Sequence, residues 1–111
     1  MDDVKAVLWA AIEDYAGLWE AVWELRALHR DAAAADLASR AHALVSDFLR
    51  DGLIELYRCV EPYGDMTLVD PAEAVRLLES PKSWEVPGAD DLSVRFSATG
   101  RGEEYYRALW A

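Results

Sequence analysis

The residues best suited to chemistry in this sequence are two histidines, one cysteine and three pairs of adjacent acids. His29, His42 and Cys59 match no metal-ligand spacing, and Cys59 has no second cysteine with which to form an intrachain disulfide. Paired carboxylates can do acid–base work only in a cleft that raises their pKa values. The pairs are Glu13-Asp14, Asp90-Asp91 and Glu103-Glu104. We expect no metal, no cofactor and no catalytic residues, and therefore a protein that is not an enzyme.

Aromatic residues are the better candidates for binding. The sequence has five Trp and five Tyr among 111 residues, and aromatic side chains bury the most area per residue. Trp84 lies in a Pro-flanked segment, while Tyr106 and Trp110 lie near the end of the sequence. These three are the candidate protein-interface residues, with core packing as the alternative for each. Gly100-Arg101-Gly102 is too short for a phosphate loop, which needs a longer Gly-rich stretch ending in Lys and Ser or Thr.

Composition indicates one folded, strongly acidic domain over residues 1–111. Hydrophobic residues make up 53% of the chain, well above what a disordered chain shows. The net charge of −10 repels nucleic acid and anionic lipid. The first residues are not the cationic start of a signal peptide, and the longest apolar run, Ala6 to Ile12, is too short to span a bilayer. We expect a cytoplasmic protein with no membrane contact.

The first thirty residues have a helical pattern. Apolar residues recur at four- and three-residue steps from Val4 to Leu25, with a second stripe beside them that includes Trp9, Trp19 and Trp23. Gly17 costs about 1 kcal/mol in a helix interior. We therefore predict helices over 2–16 and 18–29, and a single long helix is the alternative.

A third helix is predicted to follow Asp31, its expected N-cap, and to end at Arg50 before Gly52. Its inner face is Leu37, Ala41, Leu44, Val45, Phe48 and Leu49, and its outer face is Ala35, Ser39, His42, Ser46 and Arg50. The remaining predicted elements are strands over 53–60, 66–69 and 92–97, a turn over 62–65, a loop over 81–91, and helices over 72–79 and 102–110. Asp70, with Glu73 completing a capping box, and Thr99 are the expected caps of these two helices.

Three segments resemble the winged helix-turn-helix superfamily. Residues 44–54 (LVSDFLRDGLI) are similar to the exit of a recognition helix into the wing. Residues 94–102 (VRFSATGRG) are similar to the strand, Thr and Gly that close a wing, and Glu103 to Trp110 resembles the terminal helix of such proteins. The resemblance implies an α+β fold with a three-helix core, a small antiparallel sheet, an extra helix inserted in the wing and a C-terminal helix.

Two functions fit this resemblance. The neutral third helix, the acidic charge and the many Trp favour a regulatory or protein–protein interaction module that binds a protein partner or self-associates. The alternative is a transcriptional regulator that reads DNA through helix 32–50. Its candidate DNA contacts are Ser39, Arg40, His42, Arg50, Arg58 and Arg95. Nucleic-acid binding is disfavoured by the net charge.

Overall fold

The computed structural model describes residues 2–61, 64–89 and 91–111. Within these residues the chain forms an α+β fold of five α-helices and one four-stranded antiparallel sheet. The helices are α1 (Asp2–Glu13), α2 (Leu18–Leu28), α3 (Ala34–Arg50), α4 (Pro71–Glu79) and α5 (Gly100–Leu109). The strands are β1 (Ala16–Gly17), β2 (Ile54–Val60), β3 (Met66–Leu68) and β4 (Leu92–Ala98), and Pro81–Trp84 is one 3₁₀ turn.

The sheet joins distant parts of the sequence. Its strand order is β1-β4-β2-β3, and β4 lies between β1 and β2. Phe96 at the centre of β4 is paired with Ala16 on one side and Leu56 on the other. Phe96 and Leu56 are buried against the helices. The sheet therefore forms one wall of the core, and α1, α2 and α3 supply the rest.

The predicted break at Gly17 is confirmed, and the single long helix is wrong. The first helix ends at Glu13 rather than at residue 16, because Ala16 and Gly17 pair with β4 as a short strand. A Cβ at Gly17 would lie 2.3 Å from the ring of Trp19, so this close packing requires glycine. The carboxylate of Glu20 accepts a hydrogen bond from the Gly17 amide at 2.5 Å, at the start of α2.

The predicted cap at Asp31 is wrong, whereas the predicted end of the third helix is confirmed. The N-cap of α3 is Ala33, which offers no side-chain acceptor. At the other end, Gly52 has φ of +73°. The Leu53 amide donates to Phe48 and the Gly52 amide donates to Leu49, at 2.9 and 3.2 Å, which is the Schellman arrangement.

The caps predicted for the last two helices are confirmed. Asp70 accepts from the Ala72 and Glu73 amides at 3.0 and 3.2 Å. The expected capping box with Glu73 is absent, because the Glu73 carboxylate pairs with Arg58 instead. Thr99 accepts from the Gly102 amide at 3.1 Å, and α5 begins at Gly100, two residues before the predicted start.

Two predicted segments fall partly outside the described residues. They are the turn over 62–65, of which Pro62 and Tyr63 are not described, and the loop over 81–91, which includes Asp90. The start of that loop forms the 3₁₀ turn rather than irregular chain. None of the helices that the structure describes is both long and apolar enough to cross a bilayer.

Candidate functional site

The candidate DNA-contacting face of α3 lies on the surface. Ser39, Arg40 and Arg50 are exposed, and His42 and Ser46 are half-buried. The predicted inner face is buried or half-buried, so the amphipathic pattern correctly predicts which side of α3 faces the core. The electrostatics of the outer face then depend on what surrounds each basic side chain.

Each basic candidate on the surface lies beside a carboxylate. Arg40 contacts Asp3 of α1 at 3.3 Å. Arg50 lies 3.1 Å from Asp47 and 3.3 Å from Asp51, so one positive charge is next to two negative charges. These two carboxylates raise the pKa of Arg50, mainly through the hydrogen bond and charge of Asp51. Around Arg50 the local charge is therefore negative rather than positive.

The same pairing holds for the other two surface candidates. His42 Nε2 lies 3.4 Å from a carboxylate oxygen of Glu79 in α4. Arg58 of β2 binds the carboxylate of Glu73, also in α4. The helix α4, which lies between β3 and β4 in the chain, thus supplies the acids that pair with these basic groups. A phosphate would have to displace them, which makes contact with DNA less favourable.

Arg95 is not a surface residue of a wing. Its side chain is only 11% exposed, and its Nη2 donates to Glu61, itself 12% exposed, at 2.5 Å. Its Nη1 donates to the backbone oxygen of Tyr15 at 2.9 Å. Burial lowers the pKa of Arg95, but the hydrogen bond and charge of Glu61 outweigh this and raise it overall. This guanidinium therefore holds the sheet to the α1–β1 connection, and its charge is already met by Glu61.

An apolar groove runs beside the outer face of α3. One hollow of 420 Å³ lies between α3 and α4, and a second of 410 Å³ lies between α3 and the 3₁₀ turn. Both hollows are lined by Leu78 and Glu79, so they adjoin at these two residues. We call this the α3–α4 groove. It is lined by Val22, Ala38, Ser39, His42, Ser46, Leu49, Arg50, Pro71, Val75, Leu78, Glu79, Pro81 and Trp84.

Two of the three candidate interface aromatics form a cluster on α5 and α1. Tyr106 stacks on Trp9 with ring centroids 5.5 Å apart, and Trp110 meets Tyr106 edge-on at 6.0 Å. The ammonium of Lys5 lies 3.9 Å from the centre of the Trp110 ring. Trp110 is 62% exposed and Trp9 is 45% exposed. We call Lys5, Trp9, Tyr106 and Trp110 the aromatic face.

Trp84 does not belong to this cluster. It is half-buried, its indole N–H donates to the backbone oxygen of Leu78 at 2.9 Å, and its ring lies 6.0 Å from that of His42. Trp84 therefore lines the α3–α4 groove. Trp9, which the sequence pattern places in the second apolar stripe, joins Tyr106 and Trp110 on the aromatic face instead of Trp84. The sequence near Trp9 and Trp84 cannot predict this difference, because it depends on how α5 packs against α1.

The candidate chemistry residues do not converge. Cys59 is buried in β2, and in the part of the chain that the structure describes no three His, Cys, Asp or Glu side chains could together hold a metal ion. Glu13 and Asp14 do meet Glu20 and Glu24 around a hollow of 340 Å³. Burial, followed by the charges of Glu20 and Glu13, raises the pKa of Glu24.

The chain was compared with models of protein families, with curated proteins and with solved structures, and none of the three comparisons gives a match.

Proposed function

We propose that this protein is a non-enzymatic, winged-helix-like interaction module of the cytoplasm that self-associates through its aromatic face. The chain order supports the winged-helix part: α1, a short strand, α2, α3 and then the two long strands β2 and β4. The short β1 pairs with the second of these, as a minimal three-stranded winged-helix sheet requires. We assign the additional β3, α4 and 3₁₀ turn to the wing position of this arrangement.

The exposed aromatic cluster is the observation that carries the proposal. Within α5, all of which the structure describes, only Gly102 is buried. A ten-residue helix is only marginally stable in water unless packing supports it. Trp110, the residue next to this helix, is the most exposed of the aromatic cluster. A second copy covering Trp9 and Trp110 would remove apolar area from water and stabilise α5.

Local charge on α5 favours a second copy despite the net charge of −10. Glu103 lies in the first turn and Arg107 in the last. If two α5 helices pack antiparallel about a twofold axis, Arg107 of each copy faces Glu103 of the other. Charges farther apart than about 8 Å are screened at physiological salt, so these local pairs outweigh the distant acids.

Replacing the exposed tryptophan tests this function. We expect Trp110→Ala to weaken self-association roughly 30-fold, because central aromatic residues contribute about 2 kcal/mol or more to an interface. The molar mass is measured by size-exclusion chromatography with light scattering over a range of concentrations. Trp23→Ala is the matched control, since Trp23 is 47% exposed on α2 and lies outside the aromatic face. A strictly monomeric unaltered protein at high concentration would refute self-association.

DNA reading through α3 is the second candidate function. The exposure of Arg40 and Arg50 on the outer face of α3 favours it. The acids beside Arg40, His42, Arg50 and Arg58 oppose it. Binding at low salt distinguishes the two functions.

A further inference from the structure

We propose that the α3–α4 groove binds an amphipathic helix of another protein, one whose apolar face is flanked by Lys or Arg. This inference rests on the proposed role as an interaction module, but it concerns a surface separate from the aromatic face.

The groove is suited to apolar side chains. Leu49, Val75 and Leu78 line the first hollow, while Val22, Leu78 and Trp84 line the second. Val75 is 57% exposed, whereas Ala74 and Leu78 of the same helix are buried. An exposed aliphatic residue that lines a concave surface is typical of a binding groove rather than of a plain solvated surface.

The spacing of the two hollows fits a helix. The first is lined by α3 residues 46–50 and the second by residues 38–42. Their centres are about eight residues apart along α3, or roughly 12 Å at 1.5 Å per residue. Residues seven or eight apart lie on the same face of a helix. One helix lying along α3 can therefore place one apolar side chain in each hollow, as helices docked in grooves do.

The charge around the groove selects a cationic partner. Glu79 lies between the hollows and is mostly exposed, with His42 as its ion-pair neighbour. At the end of the groove near Arg50, the two negative charges of Asp47 and Asp51 exceed the single positive charge of the guanidinium. Lys or Arg beside the apolar anchors would pair with these carboxylates.

A synthetic peptide tests the inference with the full chain. The probe is a Lys-rich peptide of about four helical turns with two Leu seven residues apart. Its control has Glu in place of every Lys. We expect the Lys peptide to bind and to gain helical circular dichroism, and the Glu peptide to bind at least tenfold more weakly. Equal binding of both peptides, or no binding of the Lys peptide, would overturn the inference.

Two matched variants locate the binding site. Val75→Asp is expected to weaken binding of the Lys peptide at least tenfold, because it places a carboxylate among the apolar anchors. Val86→Asp is the control, since Val86 is 60% exposed and lies outside the groove. If the two variants bind alike, the peptide sits elsewhere and the assignment fails. Trp110→Ala is expected to bind as the unaltered protein does, so a failure of self-association is distinguishable from a failure here.

Discussion

At the scale of single residues, Arg95 shows how burial changes the role of a charged side chain. The alternation along β4 correctly places Ser93, Arg95 and Ser97 on the sheet face opposite Phe96. Arg95 is nevertheless buried on that face, because Tyr15 and Trp19 pack against it, with the Trp19 ring 5.2 Å from the guanidinium. The covering residues are about eighty positions away in sequence. Period-two alternation therefore predicts the face of a strand but not what packs against it.

The buried pair of Arg95 and Glu61 leads to a stability prediction. We expect Glu61→Gln to lower the free energy of unfolding by about 3 kcal/mol, because it removes the charge of the buried carboxylate that the Arg95 guanidinium binds at 2.5 Å. Urea denaturation measures the change. Arg50→Gln is the control: its ion pairs lie on the surface, and the midpoint should not move measurably. A midpoint for Glu61→Gln equal to that of the unaltered protein would show that Arg95 is solvated in solution.

At the scale of elements, the sequence predicts best what depends on neighbouring residues. The caps Asp70 and Thr99 and the turn at Gly52 need only a few adjacent residues, and all three are found. The short β1 was not predicted, because two residues form a strand only when β4 is already beside them. The same limit applies to the candidate site: the pattern indicated Trp110 and Tyr106, but their contact with Trp9 depends on the path of α5.

The position of α5 depends on one glycine. A Cβ at Gly102 would lie 2.1 Å from the backbone oxygen of Leu53, and backbone cannot yield as a flexible side chain does. We expect Gly102→Ala to displace α5, to weaken self-association as Trp110→Ala does, and to lower the stability by about 1–3 kcal/mol. Gly100→Ala is the matched control, since nothing lies within 4 Å of its Cβ position. Light scattering measures self-association of both variants, and thermal unfolding measures their stability. If Gly102→Ala and Gly100→Ala behave alike in both measurements, the missing Cβ at Gly102 does not determine the position of α5.

At the scale of the whole molecule, charge and apolar area are distributed over different surfaces. The aromatic face carries Lys5 beside its tryptophans, whereas the α3–α4 groove has an acidic rim. We propose a second copy for the first surface and a basic partner for the second, and because the two surfaces are separate, both contacts can coexist. The helix α4 also bears on the DNA-reading alternative, because it places Glu73 against Arg58 and Glu79 against His42.

This charge distribution predicts the outcome of a DNA-binding assay. A mobility-shift experiment at about 50 mM salt gives phosphate contacts their greatest strength, because counterion release favours binding when salt is low. We expect no retained DNA even there, since Arg40 and Arg50 already face carboxylates and the chain carries a net charge of −10. The double variant Arg40→Glu and Arg50→Glu is the control and should behave identically. If the unaltered protein shifts DNA and the double variant does not, α3 reads DNA, and the regulator function replaces the interaction module.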